Sequence, residues 1–149
     1  MRLWRISKFA DLSGEGGLIA SARWHSRGRR IVYLVDHPAS ALLEAIVHLE
    51  IEIDDLPDNY KLLAIEAPDD IAMAAVELSE LQSDWRRNTR LTRSRGDDWL
   101  SRGEATLLRV PSAIVAPAFN FLLNPVHPDR AKINLIDVTR IAFDPRLFR

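Results

Sequence analysis

The chain has 149 residues, 47% of them hydrophobic, and no cysteine. That length and apolar share predict one domain over 1–149 with a full core. The missing cysteine excludes a disulfide framework, a thiolate zinc site and a cysteine nucleophile. With 20 basic and 21 acidic side chains the net charge is -1, so no global field draws the chain to nucleic acid or lipid.

No window approaches the roughly 20 apolar residues of a membrane span, and Met1-Arg2-Leu3-Trp4-Arg5 carries charge inside the only early apolar stretch. A cytoplasmic protein is therefore expected. Residues 2–8 alternate as a half-buried strand does, with Leu3 and Arg5 on one face and Trp4 and Ile6 on the other. Ser13-Gly14-Glu15-Gly16-Gly17 reads as a mobile loop whose backbone can approach a ligand. Residues 30–35, rich in β-branched and aromatic side chains, predict a central strand. A helix follows, capped by Asp36 or His37 with Pro38 in its first turn. Residues 39–49 are apolar nearly all round, so this helix is expected to be buried. Its one polar stripe is Ser40, Glu44 and His48.

Residues 60–67 read as a further strand, while 68–83 fit a helix and equally a short strand with a turn. Asp97-Asp98-Trp99-Leu100 predicts the start of a short helix ended at Gly103. The strand predicted over 105–115 is interrupted by Pro111, and 131–143 returns to alternation at Ile133, Leu135 and Ile141. Several strands with few helices, not regularly alternating, give an α+β class with mixed β-sheets.

Taken singly, the chemical candidates are weak. No metal-ligand spacing, phosphate loop or serine elbow is present, and the glycines at 14, 16 and 17 do not fit a dinucleotide fingerprint. Glu44, a carboxylate in an almost wholly apolar helix, either faces solvent with Ser40 and His48 or works in a cleft. The four histidines share no ligand spacing. The arginines at 86, 87, 90, 93 and 95 line a solvated helix face or meet phosphates. Arg23 and Ser112 draw no attention by composition.

The combination is more specific. Ala22-Arg23-Trp24, then Ile31-Val32-Tyr33-Leu34, then Ala41-Leu42-Leu43-Glu44 with Val47-His48-Leu49, and later Leu108-Arg109-Val110-Pro111-Ser112, resemble in order and spacing the RES family. The likeness runs from Trp4-Arg5-Ile6 to Asn124-Pro125 and His127-Pro128, and Gly96-Asp97 fits it too. The resemblance implies the toxin of a toxin–antitoxin pair with a cognate Xre-type antitoxin. It also implies a fold similar to the catalytic domains of ADP-ribosylating toxins, and NAD+ as substrate without a metal. By residue matching, Arg23, Glu44 and Ser112 take catalytic positions, and Arg5, Arg23, Tyr33, Glu44 and Ser112 contact NAD+. The implied reaction breaks the nicotinamide–ribose bond. The ADP-ribose then passes to a protein such as phosphoribosyl pyrophosphate synthetase or, in the alternative, to phosphate or water. A ribonuclease toxin built on the histidines and the arginine cluster, and a non-enzymatic binding module, are the competing classes. His127 and Asn124 stay open between structural and functional roles.

Overall fold

The computed structural model describes residues 1–49 and 52–148. Strands β1 (Arg2–Ser7), β2 (Val32–Val35), β3 (Lys61–Glu66), β4 (Met73–Ala75), β5 (Leu107–Pro111), β6 (Phe119–Leu123) and β7 (Asn134–Arg140) form one sheet in the order β4-β5-β6-β2-β1-β3-β7. Among the described residues only the β4–β5 pair is parallel. The α+β class stands, its strands making one mixed sheet. Helices α1 (Gly16–Ile19), α2 (Pro38–His48) and α3 (Thr89–Arg102) complete the regular structure, with short 3-10 turns between them.

Strand alternation divides the core between the two faces of the sheet. Leu3, Val32, Leu34, Leu63, Ile65, Leu107, Phe121 and Leu123 pack on one face under loop residues Leu12, Ile71 and Ile133. Leu108, Val110 and Leu122 point to the other, where Trp24, Trp85 and Trp99 cover them.

Several expectations need correction. Helix α2 is capped by His37, whose Nδ1 accepts from the Ala39 amide at 3.1 Å, but it is not the buried helix. Only Ala41 is fully buried, and Leu43 and Val47 are exposed, because the helix lies over the margin of a cleft. Helix α3 starts at Thr89, well before Asp97, since the Asn88 side chain accepts from the Leu91 amide and caps it there. It ends as expected at Gly103, whose φ of 62° suits glycine. Residues 68–83 contain the short strand and a 3-10 turn at Leu78–Glu80, not a helix. The strand expected over 105–115 stops at Pro111, and β6 was not foreseen.

Two glycines of the segment, Gly14 and Gly17, are packed closely against backbone. A Cβ at Gly14 would meet the Ile31 backbone nitrogen at 2.6 Å, and one at Gly17 would overlap the Arg29 carbonyl. These glycines let α1 sit on the chain entering β2, and their close approach is to protein backbone.

Candidate active site

β1 and β2 share one register pair, Trp4 opposite Val35. Continuing the ladder would pair Arg5 with Leu34 and Ile6 with Tyr33, and all four line a cleft of about 410 Å³. The cleft therefore begins where the two strands part. Ala41, Glu44, Ala45 and His48 of α2 line it, with Ala22-Arg23-Trp24 and with Ala113, Ile114 and Asn120. Its lining is mainly apolar with few polar groups, as small-molecule sites are. A second hollow of about 580 Å³ lies between β4 and α3, but its arginines are already neutralised in Arg95–Glu80 and Arg102–Asp98 pairs.

Four of the five expected residues meet in this cleft: Arg5, Arg23, Tyr33 and Glu44. Burial lowers the basicity of the Arg5 guanidinium, opposed by the nearby Asp11 charge. Arg23 donates from Nη1 to the Arg86 carbonyl at 2.8 Å. Its guanidinium lies 5.8 Å from the Trp85 ring, which Arg86 also flanks at 4.9 Å. No carboxylate among the described residues pairs with Arg5 or Arg23, so both retain donors for an anion.

Helix α3 holds the Arg23 segment by its backbone. Thr92 Oγ1 donates to the Arg23 carbonyl at 2.6 Å, and Arg93 Nε donates to the Ala22 carbonyl at 2.7 Å. The Asp97 carboxylate accepts from the Ser26 amide at 2.9 Å and its hydroxyl at 2.6 Å. Gly96 faces the Trp24 carbonyl so closely that a Cβ would overlap it. The arginine run is thus not one helix face, and three of its members are held by other groups. Arg86 and Arg87 precede α3, Arg93 grips the 22–23 backbone, and Arg95 pairs with Glu80.

Tyr33 presents its ring to the cleft while its hydroxyl is committed behind it. His25 Nε2 faces the Ala20 carbonyl at 2.9 Å, which can only accept, so Nε2 carries the proton. Nδ1 then accepts from the Tyr33 hydroxyl at 2.8 Å, and that oxygen accepts from the Trp24 amide at 3.2 Å. Burial pushes the Tyr33 hydroxyl above its ordinary pKa and His25 below its own, which keeps both neutral.

Glu44 leans from α2 toward β6, where its Oε1 accepts from Asn120 Nδ2 at 2.8 Å. His48 Nε2 stands 4.0 Å from Oε2. Asn120 was missed because its strand was missed.

Ser112 is not among the cleft-lining residues. It is buried, and its hydroxyl oxygen accepts from the amides of Ile114 at 3.2 Å and Val115 at 3.1 Å. It shapes the turn that carries Ala113 and Ile114 to the cleft.

The other histidines are structural or exposed. His127 Nδ1 accepts from the Asp129 amide and meets the Thr106 hydroxyl, each at 3.0 Å, and the buried Asn124 Oδ1 accepts from the Val126 amide. His25 and His37 are likewise engaged, with the Ala20 carbonyl and the Ala39 amide. Among the described residues no group of three or more His, Cys, Asp or Glu could hold a metal ion, and no helix is long and apolar enough to cross a membrane.

The description of the RES domain matches residues 2–144 of this chain. The chain belongs to the RES family. It is similar to a Pseudomonas putida protein named Toxin Res, 48% identical over 99% of this chain and 100% of the relative. A Sphingobium protein named Prs ADP-ribosylating toxin is 38% identical over 98% of this chain and 96% of its own length. Among solved structures, the Mycobacterium tuberculosis MbcT-MbcA toxin–antitoxin complex contains a chain with TM-score 0.74 at 17% identity, covering 99% of this chain and 86% of that one. That likeness concerns the fold. Together with homology to an ADP-ribosylating toxin it bears out the expected fold of this RES chain.

Proposed function

We propose that this RES protein is the toxin of a toxin–antitoxin pair, an enzyme that breaks the nicotinamide–ribose bond of NAD+ and passes ADP-ribose to a protein acceptor such as phosphoribosyl pyrophosphate synthetase. The carrying observation is the convergence of Arg5, Arg23, Tyr33 and Glu44 on one cleft. Relatives named as toxins, one of them for ADP-ribosylating Prs, support the reading.

Departure of nicotinamide leaves an oxocarbenium-like ribose, a developing positive charge that the Glu44 carboxylate opposes while accepting from ribose hydroxyls. Nicotinamide leaves neutral from a cationic ring, so no general acid is required. The guanidinium of Arg23, with Arg5, offers donors to the diphosphate, and the Tyr33 ring gives a flat apolar surface to a base. Ser112 acts one layer back, through the turn below Ala113 and Ile114.

The deciding experiment is mass spectrometry of the products formed from NAD+ with the purified chain, with and without phosphate and the candidate protein. Free nicotinamide together with an ADP-ribosylated protein is expected. A phosphorylated ADP-ribose product would move the acceptor to phosphate, and intact NAD+ under every condition would overturn the reading.

Arg23→Lys is expected to weaken NAD+ binding roughly tenfold although the charge is kept, because an ammonium cannot make the paired bonds of a guanidinium. Calorimetric titration checks this. Unchanged affinity would remove Arg23 from the diphosphate contact.

An Xre-type antitoxin segment inserted into this cleft would exclude NAD+ directly. The glycine segment does not line the cleft, so it plays no part in this closure. Titrating the purified complex with NAD+ is expected to release antitoxin before cleavage begins. A stable ternary complex with full activity would refute direct blockage.

A further inference from the structure

The reaction proposed above needs a stationary carboxylate, and the helix alone does not fix the Glu44 side chain. The residue sits on α2 beside exposed Leu43 and Val47, with its side chain 26% accessible. A glutamate in that setting has three side-chain torsions to fix, and removing their freedom carries an entropic cost.

We propose that Asn120 is the positioning residue of Glu44, holding the carboxylate in place without neutralising it. Asn120 lies on β6, which is paired on both sides. It stands opposite Val35 of β2 and Val110 of β5. Two ladders fix its backbone, and its short side chain leaves little slack. Its amide nitrogen donates to Glu44 Oε1 at 2.8 Å, and the orientation of the amide follows from the chemistry, since an ionised carboxylate can only accept.

The residue type matters. A lysine or arginine at this distance would also hold Glu44, but its positive charge would oppose stabilisation of an oxocarbenium beside it. An amide supplies one directed N–H and no net charge. One carboxylate oxygen is then occupied by the strand, leaving Oε2 for the ribose. The contact also couples the missed strand β6 to the catalytic helix, so sheet register sets where the charge stands.

This inference rests on the NAD+ reading, and steady-state kinetics of NAD+ cleavage separate the two. Asn120→Ala is expected to lower kcat by roughly 10- to 100-fold, as misplacement by about an ångström does, while KM stays within about threefold. Asn120→Asp keeps the size but puts a second carboxylate where the donor was, and is expected to lose at least as much at neutral pH. The decisive readout is a double-mutant cycle. If Asn120 acts through Glu44, adding Asn120→Ala to Glu44→Gln changes the residual rate by less than about twofold. Full kcat in a folded Asn120→Ala or Asn120→Asp protein would overturn the proposal, as would additive losses in the cycle. NAD+ left intact by the unmodified protein would instead overturn the functional reading on which it stands.

Discussion

Glu44→Gln is expected to lower nicotinamide release from NAD+ by ~100-fold or more, the usual scale for losing one preorganised electrostatic group at a charged transition state. The substitution keeps size, and its carbonyl oxygen can still accept from Asn120 Nδ2, so the geometry survives while the charge does not. Glu44 is half-buried at the cleft margin and makes no tight ion pair, His48 Nε2 being 4.0 Å away. Little stability is therefore at stake. Initial rates of nicotinamide formation by chromatography, beside a thermal melt, give both readings. Activity within a few-fold of the unmodified protein would end the assignment of Glu44.

Gly96→Ala is expected to have the largest effect on the fold. Added to an exposed helix, a methyl group in place of glycine ordinarily stabilises by up to about 1 kcal/mol. Here the sign reverses, because the new Cβ would overlap the Trp24 carbonyl, a backbone group with no rotamer by which to withdraw. Either α3 moves away or the 22–26 segment does, and the bonds from Thr92, Arg93 and Asp97 to that segment loosen together. A loss of about 3 kcal/mol is expected, or roughly 10 °C in Tm for a chain of this size. NAD+ affinity should fall with it, since Arg23 is carried by the displaced backbone. Differential scanning calorimetry is the check, and an unchanged Tm would mean that α3 does not pack on Trp24 in this way.

Much of the cleft was legible as a pattern of residue types, yet its geometry was not. Glu44 drew attention alone, as a carboxylate in an apolar helix, but Arg5, Arg23 and Tyr33 joined it as a set only through resemblance, because local chemistry does not mark them. Alternation identified β1 and β-branched and aromatic content identified β2, and the cap at His37 and the stop at Gly103 are local events readable from a few neighbours. Ser112 follows the Pro111 that interrupts its strand, but whether its hydroxyl faces ligand or backbone depends on how the 112–115 turn closes.

Composition, local periodicity and backbone chemistry by themselves determined the α+β class, the absence of a thiol site and the positions of most strands. Each follows from interactions within a few residues along the chain. Only the tertiary structure decided that β1 and β2 part after Trp4 and Val35, that the glycines serve backbone packing, and that Asn120 meets Glu44. These depend on contacts between segments as much as 76 residues apart, such as Asn120 to Glu44. Their physical basis is the register of paired strands and the space left between them, and neither is encoded in any single stretch of the chain.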